Sequence, residues 1–180
     1  GRFGILTDVT VRTATRPARD VVRAYSVPDW DRALVLGRSL ASAGLPLSMV
    51  RVSTPTETVT MLAMVADERR RRLLRRYLDW RHQGAEACLV LVGVAGTDGL
   101  IRAVEGEVVR LVKAERGIGI PGVDRAWQRE RFRAPYLRNT LWSAGYGVDT
   151  LETATDWARL PGLAAALAPA LRHGLESIGE

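Results

Sequence analysis

The chain has 180 residues, enough for one domain or for a large domain with an appendage, and its 47% hydrophobic and 26% charged residues exclude a disordered chain. No apolar run approaches the roughly 20 residues of a membrane helix and no signal peptide is evident, so we expect a cytoplasmic protein with no membrane span. A single cysteine, Cys88, and two distant histidines, His82 and His173, argue against disulfides and a metal centre, whereas the net charge of +6 suggests a polyanionic partner.

The first quarter of the chain predicts strands on either side of a helix. Ile5 to Thr13 alternates apolar and polar residues as a strand does, and Val21 to Val27 follows as a second strand. Pro28 and Asp29 then open a helix that Gly44 ends. Leu47 to Val52 is the next predicted strand, so this region contains a β-α-β unit.

A capping box and an arginine-rich helix follow. Thr54 to Glu57 predicts the start of a short helix, and Asp67 to His82 predicts an amphipathic helix that carries a cluster of six arginines between Arg69 and Arg76. This cluster fits a phosphate-binding face or the solvated side of a helix. We favour the solvated side, because Lys113 is the only lysine among 26 basic residues and no nucleic-acid-binding signature is present. We therefore expect no nucleic-acid partner.

The centre of the chain contains its most strand-like run, Ala87 to Val94, which predicts a buried central strand. Thr97 or Asp98 caps a helix that runs to about Glu115 and is ended by Gly117. Gly117 to Gly122 matches a G-x-G-x-x-G pattern but follows a helix, so we do not assign it to a dinucleotide. Gly93 to Gly96 is predicted as a tight turn.

Three further elements complete the chain. Asp124 to Ala144 predicts a helix that Pro135 should kink or split in two. Tyr146 to Thr155 alternates and predicts a strand. Asp156 then caps a last helix, Trp157 to about His173.

The order of these elements predicts an α+β fold with an antiparallel sheet, helices packed mainly on one face, and ferredoxin-like β-α-β units. The chain begins directly in a predicted strand and ends directly after a helix. We therefore expect it to be a piece of a longer protein.

The polar residues after Pro135 are the candidate site. On a strand from 146 to 155, Thr150 and Glu152 would share one face, so a hydroxyl and a carboxylate would lie together. An arginine beside them would grip an oxyanion with two hydrogen bonds. A structural ion pair between Arg138 and Glu152 explains the same spacing, and spacing alone does not decide between the two.

Two motifs here carry a family resemblance. F-x-x-P-Y-L-R-[DN]-x-L at residues 132–141 and D-T-x-E-T-A-x-x-W at residues 149–157 resemble a block of the FAD-linked oxidases of the vanillyl-alcohol-oxidase superfamily. The resemblance is strongest to the branch of alkyldihydroxyacetonephosphate synthase. GRFGILTDVTVRT at the start, SMVRVSTPTET at residues 48–58 and the glycine and tryptophan of residues 122–127 are similar to further parts of that family.

The resemblance implies a cap domain over a flavin, with residues 1–16 as the terminal strand of an FAD-binding domain and residues 17–180 as a cap domain incomplete at its C-terminus. FAD would be bound mainly by a part of the parent enzyme outside this chain, so the fragment would be inactive alone. The parent would be an FAD-dependent oxidoreductase or a synthase-like flavoenzyme.

The resemblance also implies roles for individual residues. Arg138 would face the phosphate or carboxylate of an anionic small-molecule substrate. Thr150 matches a small hydroxyl residue near the substrate. Gly4, Ile5 and Leu6 would border the flavin nucleotide. We include Tyr136 and Glu152 as substrate-binding candidates, assign no catalytic or metal-binding residue, and leave homo-oligomerisation open. A stand-alone anion-binding α+β domain without a redox role is the alternative.

Overall fold

The computed structural model describes residues 4–65, 68–132 and 134–177. The elements of this part of the chain are, in order, β1 (Arg19–Val27), α1 (Trp30–Ser42), β2 (Leu47–Val52), α2 (Pro55–Val65), α3 (Glu68–Trp80), β3 (Cys88–Gly96), α4 (Asp98–Ala114), β4 (Ile118–Gly119), α5 (Val123–Glu130), α6 (Ala134–Ser143) and α7 (Leu160–Ser177).

The strands form one antiparallel sheet in the order β2-β3-β1-β4. Strands β1 and β3 pair along their whole length, from Arg19 opposite Gly96 to Val27 opposite Cys88. Strand β2 pairs with the other side of β3, so β1 and β2 run parallel with β3 between them. This is the split β-α-β arrangement of ferredoxin-like folds. The predicted α+β class with an antiparallel sheet is confirmed.

Helices α1 and α4 cover the first face of the sheet. Side chains alternate between the two faces of a strand, so β3 directs Cys88, Val90, Val92 and Val94 to this side, where they are fully buried. The helical residues packed against them are Ala33, Leu36 and Leu40 of α1 and Ile101, Val104, Val108 and Val112 of α4. Burying a side chain of this size stabilises the fold by about 1.5–3 kcal/mol.

Helices α2, α3 and α5 cover the second face. Leu89 and Leu91 of β3 point to this side and pack with Leu78 of α3 and Val123 of α5. The helices therefore lie on both faces of the sheet, whereas we expected them mainly on one. The reason is that three helices pack on the second face: α2 and α3, which are inserted between β2 and β3, and the short α5. The apolar side of the arginine-rich helix supplies part of this second core.

Side-chain caps begin the helices where the sequence predicts them. Asp29 Oδ1 accepts a hydrogen bond from the Arg32 amide at 2.9 Å, at the start of α1. Thr54 Oγ1 accepts one from the Glu57 amide at 3.2 Å, at the start of α2. Thr97 caps α4 in the same way. Each cap satisfies an amide that the helix itself leaves without a partner.

Pro135 has the predicted effect on the helix expected from 124 to 144, which is divided into α5 and α6. It lies in the first turn of α6, where a residue without an amide N–H leaves no helical hydrogen bond unmade. Because α6 starts anew at this point, Arg138 lies in the second turn of a separate, exposed helix.

The turn after α4 differs in detail from the prediction. Arg116, not Gly117, has the left-handed backbone conformation, with φ +55°. Gly117 is required for space, because a Cβ there would lie 2.6 Å from Val112 Cγ1 and 3.0 Å from the Ser26 carbonyl oxygen. This close approach leads the chain into β4, which pairs with β1 at the edge of the sheet.

Two predicted strands are wrong. Residues 5–13 and 146–155 have no regular secondary structure. A strand needs a neighbouring backbone for its N–H and C=O groups, and neither segment finds one in the described part of the chain. Residues 4–16 form no strand within the described chain, and residues 1–3 of the proposed terminal strand lie outside the described residues. Residues 93–96 form the end of β3 rather than a tight turn.

Candidate functional site

Helix α6 presents the predicted site residues Tyr136 and Arg138 to solvent. The Arg138 guanidinium carbon lies 5.0 Å from the centre of the Trp142 ring, one helical turn further on. Such a cation–π contact holds the guanidinium plane near the helix surface without using its N–H donors. Tyr136 and Arg138 are two positions apart, a spacing at which helical side chains do not face each other. These two candidates therefore do not converge on one point.

Thr150 and Glu152 lie in the exposed segment between α6 and α7. The Thr150 amide donates a hydrogen bond of 2.8 Å to Asp149 Oδ1, a local contact that shapes the chain there. Because residues 146–155 do not form a strand, Thr150 and Glu152 do not share a sheet face, and that prediction is wrong. Arg138 and Glu152, which the structure describes, form no ion pair with each other, so the structural tie considered as an alternative is absent as well.

Gly4, Ile5 and Leu6 lie in an exposed stretch at the start of the described chain. Ile5 is 94% exposed and Leu6 is 86% exposed. Gly4 has φ +104°, and no heavy atom lies within 4 Å of a Cβ built on it. A dinucleotide such as FAD needs walls around its pyrophosphate and its rings. These three residues by themselves do not fit the flavin, since they enclose no space.

A cleft that the sequence did not predict adjoins this region. It has a volume of about 530 Å³ and lies between α7, Trp30 at the start of α1, and the three residues Thr153 to Thr155. Thr54 also lines it, so hydroxyl groups stand among leucine and alanine side chains. The lining residues Thr153 to Thr155 come shortly after Thr150 and Glu152 in the chain. Its only sequence signal is the run of alanines and leucines in α7 next to two threonines.

Trp157 follows the cleft residues Thr153 to Thr155 in the chain. Its ring lies against α1, where an atom of the indole comes within 3.8 Å of a Cβ built on Gly37. Asp156 Oδ1 accepts a hydrogen bond of 2.9 Å from the Arg159 amide and so begins the turn that leads into α7. Residues 156–159 therefore connect the exposed segment to the body of the fold.

A charged pair joins β2 to α2 close in sequence to Thr54, which lines the cleft. The Arg51 guanidinium on the edge strand β2 pairs with the Glu57 carboxylate on α2, and both side chains are partly exposed. Thr54, which lines the cleft, lies between them in the sequence and caps α2. The stretch SMVRVSTPTET therefore places an arginine, a carboxylate and a hydroxyl in one neighbourhood, which was not assigned as a site from the sequence.

Two strongly perturbed titratable groups lie in the core of the fold. Burial raises the pKa of the Tyr25 hydroxyl to about 12, and the neighbouring Glu105 carboxylate adds to that effect. Burial raises the pKa of the Cys88 thiol from 9.0 to about 12. Arg23 Nε lies 2.7 Å from Glu105 Oε1, close to Tyr25.

Within residues 4–65, 68–132 and 134–177, no three histidine, cysteine or acidic side chains lie together as metal ligands would. In the same ranges, none of the helices combines the length and the apolar character that a bilayer crossing requires.

Comparisons with known proteins identify relatives of nearly the whole chain. A curated relative, alkyldihydroxyacetonephosphate synthase of Dictyostelium discoideum, is 22% identical over 170 residues, which cover 89% of this chain and 28% of the relative. Two solved structures of an alkyldihydroxyacetonephosphate synthase superpose with TM-scores of 0.75 and 0.70 at 21% identity. They cover 91% and 89% of this chain, which spans 31% of each of them.

The structural likeness, at this identity, supports the fold alone, and the chain spans less than a third of the length of these relatives. The family comparison is broader. Residues 16–175 match the family described as FAD linked oxidases, C-terminal domain. This match includes α6, the exposed segment with Thr150 and Glu152, and nearly all of α7. The chain therefore belongs to the C-terminal domain family of the FAD-linked oxidases.

Proposed function

We propose that this chain is the substrate-binding cap domain of an FAD-linked enzyme similar to alkyldihydroxyacetonephosphate synthase. The observation that carries the proposal is the family match over residues 16–175. The chain spans less than a third of its relatives, which supports the view that FAD binds mainly to another part of a longer protein. In that protein, residues 1–16 belong to the flavin-binding domain and residues 17–180 to the cap.

Arg138 is the residue that binds the anionic end of the substrate. Its guanidinium group is exposed on α6 and rests over Trp142, and no partner among the described residues occupies its five N–H donors. A planar guanidinium forms two parallel hydrogen bonds with a carboxylate or a phosphate. The substrate is therefore a small molecule with one of these groups.

Thr150, Glu152 and Tyr136 complete the substrate site once residues 145–155 pack against the rest of the longer protein. The Thr150 hydroxyl donates to an anion oxygen, and the Glu152 carboxylate accepts from a substrate hydroxyl. The exposure of this whole segment supports such a packing. Without that packing the three side chains stay apart, so the isolated chain does not turn over substrate.

The flavin is tested first. The purified full-length protein that contains this chain is expected to absorb near 450 nm, roughly where oxidised flavins do, because the family is FAD-linked. The 180-residue chain prepared alone is expected to lack this absorbance, since Gly4, Ile5 and Leu6 enclose no space. A colourless full-length protein would overturn the proposal and favour the stand-alone anion-binding domain.

Arg138 is tested by substitution in the full-length enzyme. We expect Arg138→Gln to lower kcat/KM for an anionic substrate. The corresponding loss of transition-state stabilisation is about 2–4 kcal/mol, the scale of a lost charge-assisted pair. Arg138→Lys retains the charge but not the paired hydrogen bonds, and an intermediate effect is expected.

Arg159→Gln serves as the matched control, because Arg159 is an exposed arginine whose only ion pair in the described chain is with the nearby Asp156. It removes the same charge and should leave kcat/KM unchanged. If Arg138→Gln lowers the unfolding midpoint and leaves kcat/KM at the level of this control, Arg138 is a structural residue and its proposed role is wrong.

A further inference from the structure

The joint between α5 and α6 determines the direction in which α6 leaves the body of the fold. Helix α5 is fixed to that body, because its residues Val123 and Ala126 are buried. Helix α6 is not, since residues 136–143 are almost all exposed in the described chain. A helix that buries so little of its surface gains little orientation from packing. The position of α6, and with it that of Arg138, therefore depends on the joint at residues 131–132.

The Arg131 side chain lies in this joint between two aromatic rings. Its guanidinium carbon is 5.4 Å from the centre of the Trp127 ring, one turn earlier in the chain, and 4.6 Å from the centre of the Phe132 ring. Both distances are in the range of cation–π contacts, which arginine makes by stacking its planar group on a ring. Trp127 packs against the second core. The guanidinium therefore connects an anchored side chain of α5 to the residue that leads toward α6.

A charged contact ties the same side chain to the sheet. Arg131 Nη2 lies 4.0 Å from Asp20 Oδ2 on β1. The pair is long and partly exposed, so by itself it adds little stability. It does give the guanidinium a third contact, in addition to the two rings. Asp20, Trp127 and Phe132 together define the orientation of Arg131.

The chemistry of residue 131 indicates more than packing. Arg131 Nε is buried and has no hydrogen-bond partner among the described residues. An unpaired buried donor lowers the stability of a fold. A methionine would fill the space between the two rings and would leave no donor unpaired. Packing alone therefore does not account for an arginine here, whereas the orientation that its planar, charged group imposes on the joint does.

We infer that Arg131 is a positioning residue for Arg138. Stacked between Trp127 and Phe132, its guanidinium fixes the angle between α5 and α6. It thereby holds Arg138 at the place where the anionic group of the substrate binds. This role rests on the substrate-binding function proposed above for Arg138. Arg131 itself does not touch the substrate, because its effect passes through α6.

The first test measures anion binding by variants of the full-length enzyme. Inorganic phosphate and acetate are the probes, one for each anion class that suits a guanidinium, and isothermal titration calorimetry gives their dissociation constants. R131M should weaken, by about tenfold, the binding of the anion that R138Q weakens. R131K keeps the charge without the planar group, so a smaller loss is expected.

A matched control is available on α3. The Arg81 guanidinium carbon lies 6.0 Å from the centre of the Tyr77 ring and 5.6 Å from that of the Trp80 ring, so it is also stacked near two aromatic side chains. R81M removes the same charge and the same kind of contact away from α6, and it should leave the binding of both probes unchanged. Equal weakening by R81M and R131M would show a diffuse charge effect and contradict the positioning role.

A double variant separates positioning from a general loss of structure. If Arg131 acts through Arg138, R131M should weaken binding no further in the R138Q background, because the group that it positions is already absent. Equal weakening in both backgrounds would overturn the positioning role. If R138Q weakens binding and R131M does not, only the positioning role is wrong. If R138Q leaves the binding of both probes unchanged, the proposed function of Arg138 is wrong and the positioning role with it.

Hydrogen–deuterium exchange tests the joint without any ligand. The amides of residues 136–143 should exchange at least about tenfold faster in R131M than in the parent, and those of α4 should not change, because only α6 is loosened. Unchanged exchange in α6 would overturn the inference. F132A should have the same effect. Because Phe132 is 71% exposed, its removal does not endanger folding, and this variant decides the question if R131M does not fold.

Discussion

Residues 19–130 and residues 134–177 differ in the exposure of their apolar side chains. In the first region, Leu36, Leu89 and Leu91 are completely buried between sheet and helices. In the second region, Tyr136 is 69% exposed and Leu151 is 70% exposed. The 18 residues of α7 include no buried side chain at all. The first region packs around its own sheet, whereas the second region contacts the first on only one side.

This difference identifies residues 134–177 as the region whose apolar side chains are more exposed. Exposed patches of large apolar residues are rare on soluble proteins unless another surface covers them. Helices without a packed face gain little stability from local propensity alone. The exposure of the second region is therefore consistent with the proposal that a further part of a longer protein packs there.

The largest effect that would separate the two regions is expected from leucine truncation. Leu91→Ala removes a fully buried side chain from the central strand and should lower the free energy of unfolding by about 2–5 kcal/mol. Leu151→Ala removes the same atoms from an exposed position and should change it by less than about 0.5 kcal/mol. Urea denaturation of the chain measures both, and similar losses would contradict the division into two regions.

A smaller effect is expected from two glycines near α4. Gly117→Ala should cost about 1–3 kcal/mol, because its Cβ would collide with Val112 and with the Ser26 carbonyl oxygen. Gly106→Ala lies in open space within α4 and should stabilise by about 0.5–1 kcal/mol through helix propensity. Thermal unfolding of the two variants tests this, and effects of the same sign would show that the turn tolerates a Cβ.

The buried thiol of the first region should make stability fall at alkaline pH. The pKa of Cys88 is raised from 9.0 to about 12 in the fold, so the unfolded chain loses the thiol proton first. The stabilising contribution is complete below pH 9 and is lost as pH rises toward 12, by about 1.4 kcal/mol per unit.

Urea midpoints between pH 8 and 10 measure this loss. Cys88→Ala should flatten the dependence of the urea midpoint on pH in that window. The raised pKa of Tyr25 contributes little there, because an unfolded tyrosine ionises near pH 10. A variant profile as steep as that of the parent would exclude the thiol as the cause.

The smallest effect is expected from two helix caps. Asp29→Ala removes the cap of α1, which is packed on the sheet, and should cost about 1 kcal/mol. Asp156→Ala removes the equivalent hydrogen bond before α7, which buries no side chain, and should change global stability less. Equal costs in chemical denaturation would show that α7 unfolds together with the body and would weaken the comparison.

The candidate site residues stay a prediction, and the arrangement expected for them does not form in the described chain. The helix that carries Arg138 was predicted, because Pro135 and the helical pattern are local signals. The convergence of Arg138 with Thr150 and Glu152 depended on a strand at residues 146–155 that does not form. The cleft beside Trp30 and Thr153 was missed, since α7 and the start of α1 are distant in sequence.

The sequence by itself determined the body of the fold. The continuous apolar run of residues 87–94, the caps at Asp29 and Thr97 and the break at Pro135 are local features, and each produced the predicted element. The tertiary structure alone decided which extended segments became strands and that helices cover both faces. Alternation marks a segment that is amphipathic when extended, but a strand exists only where a neighbouring backbone completes its hydrogen bonds. Residues 19–27 find that neighbour in β3, and residues 5–13 and 146–155 find none in the described chain.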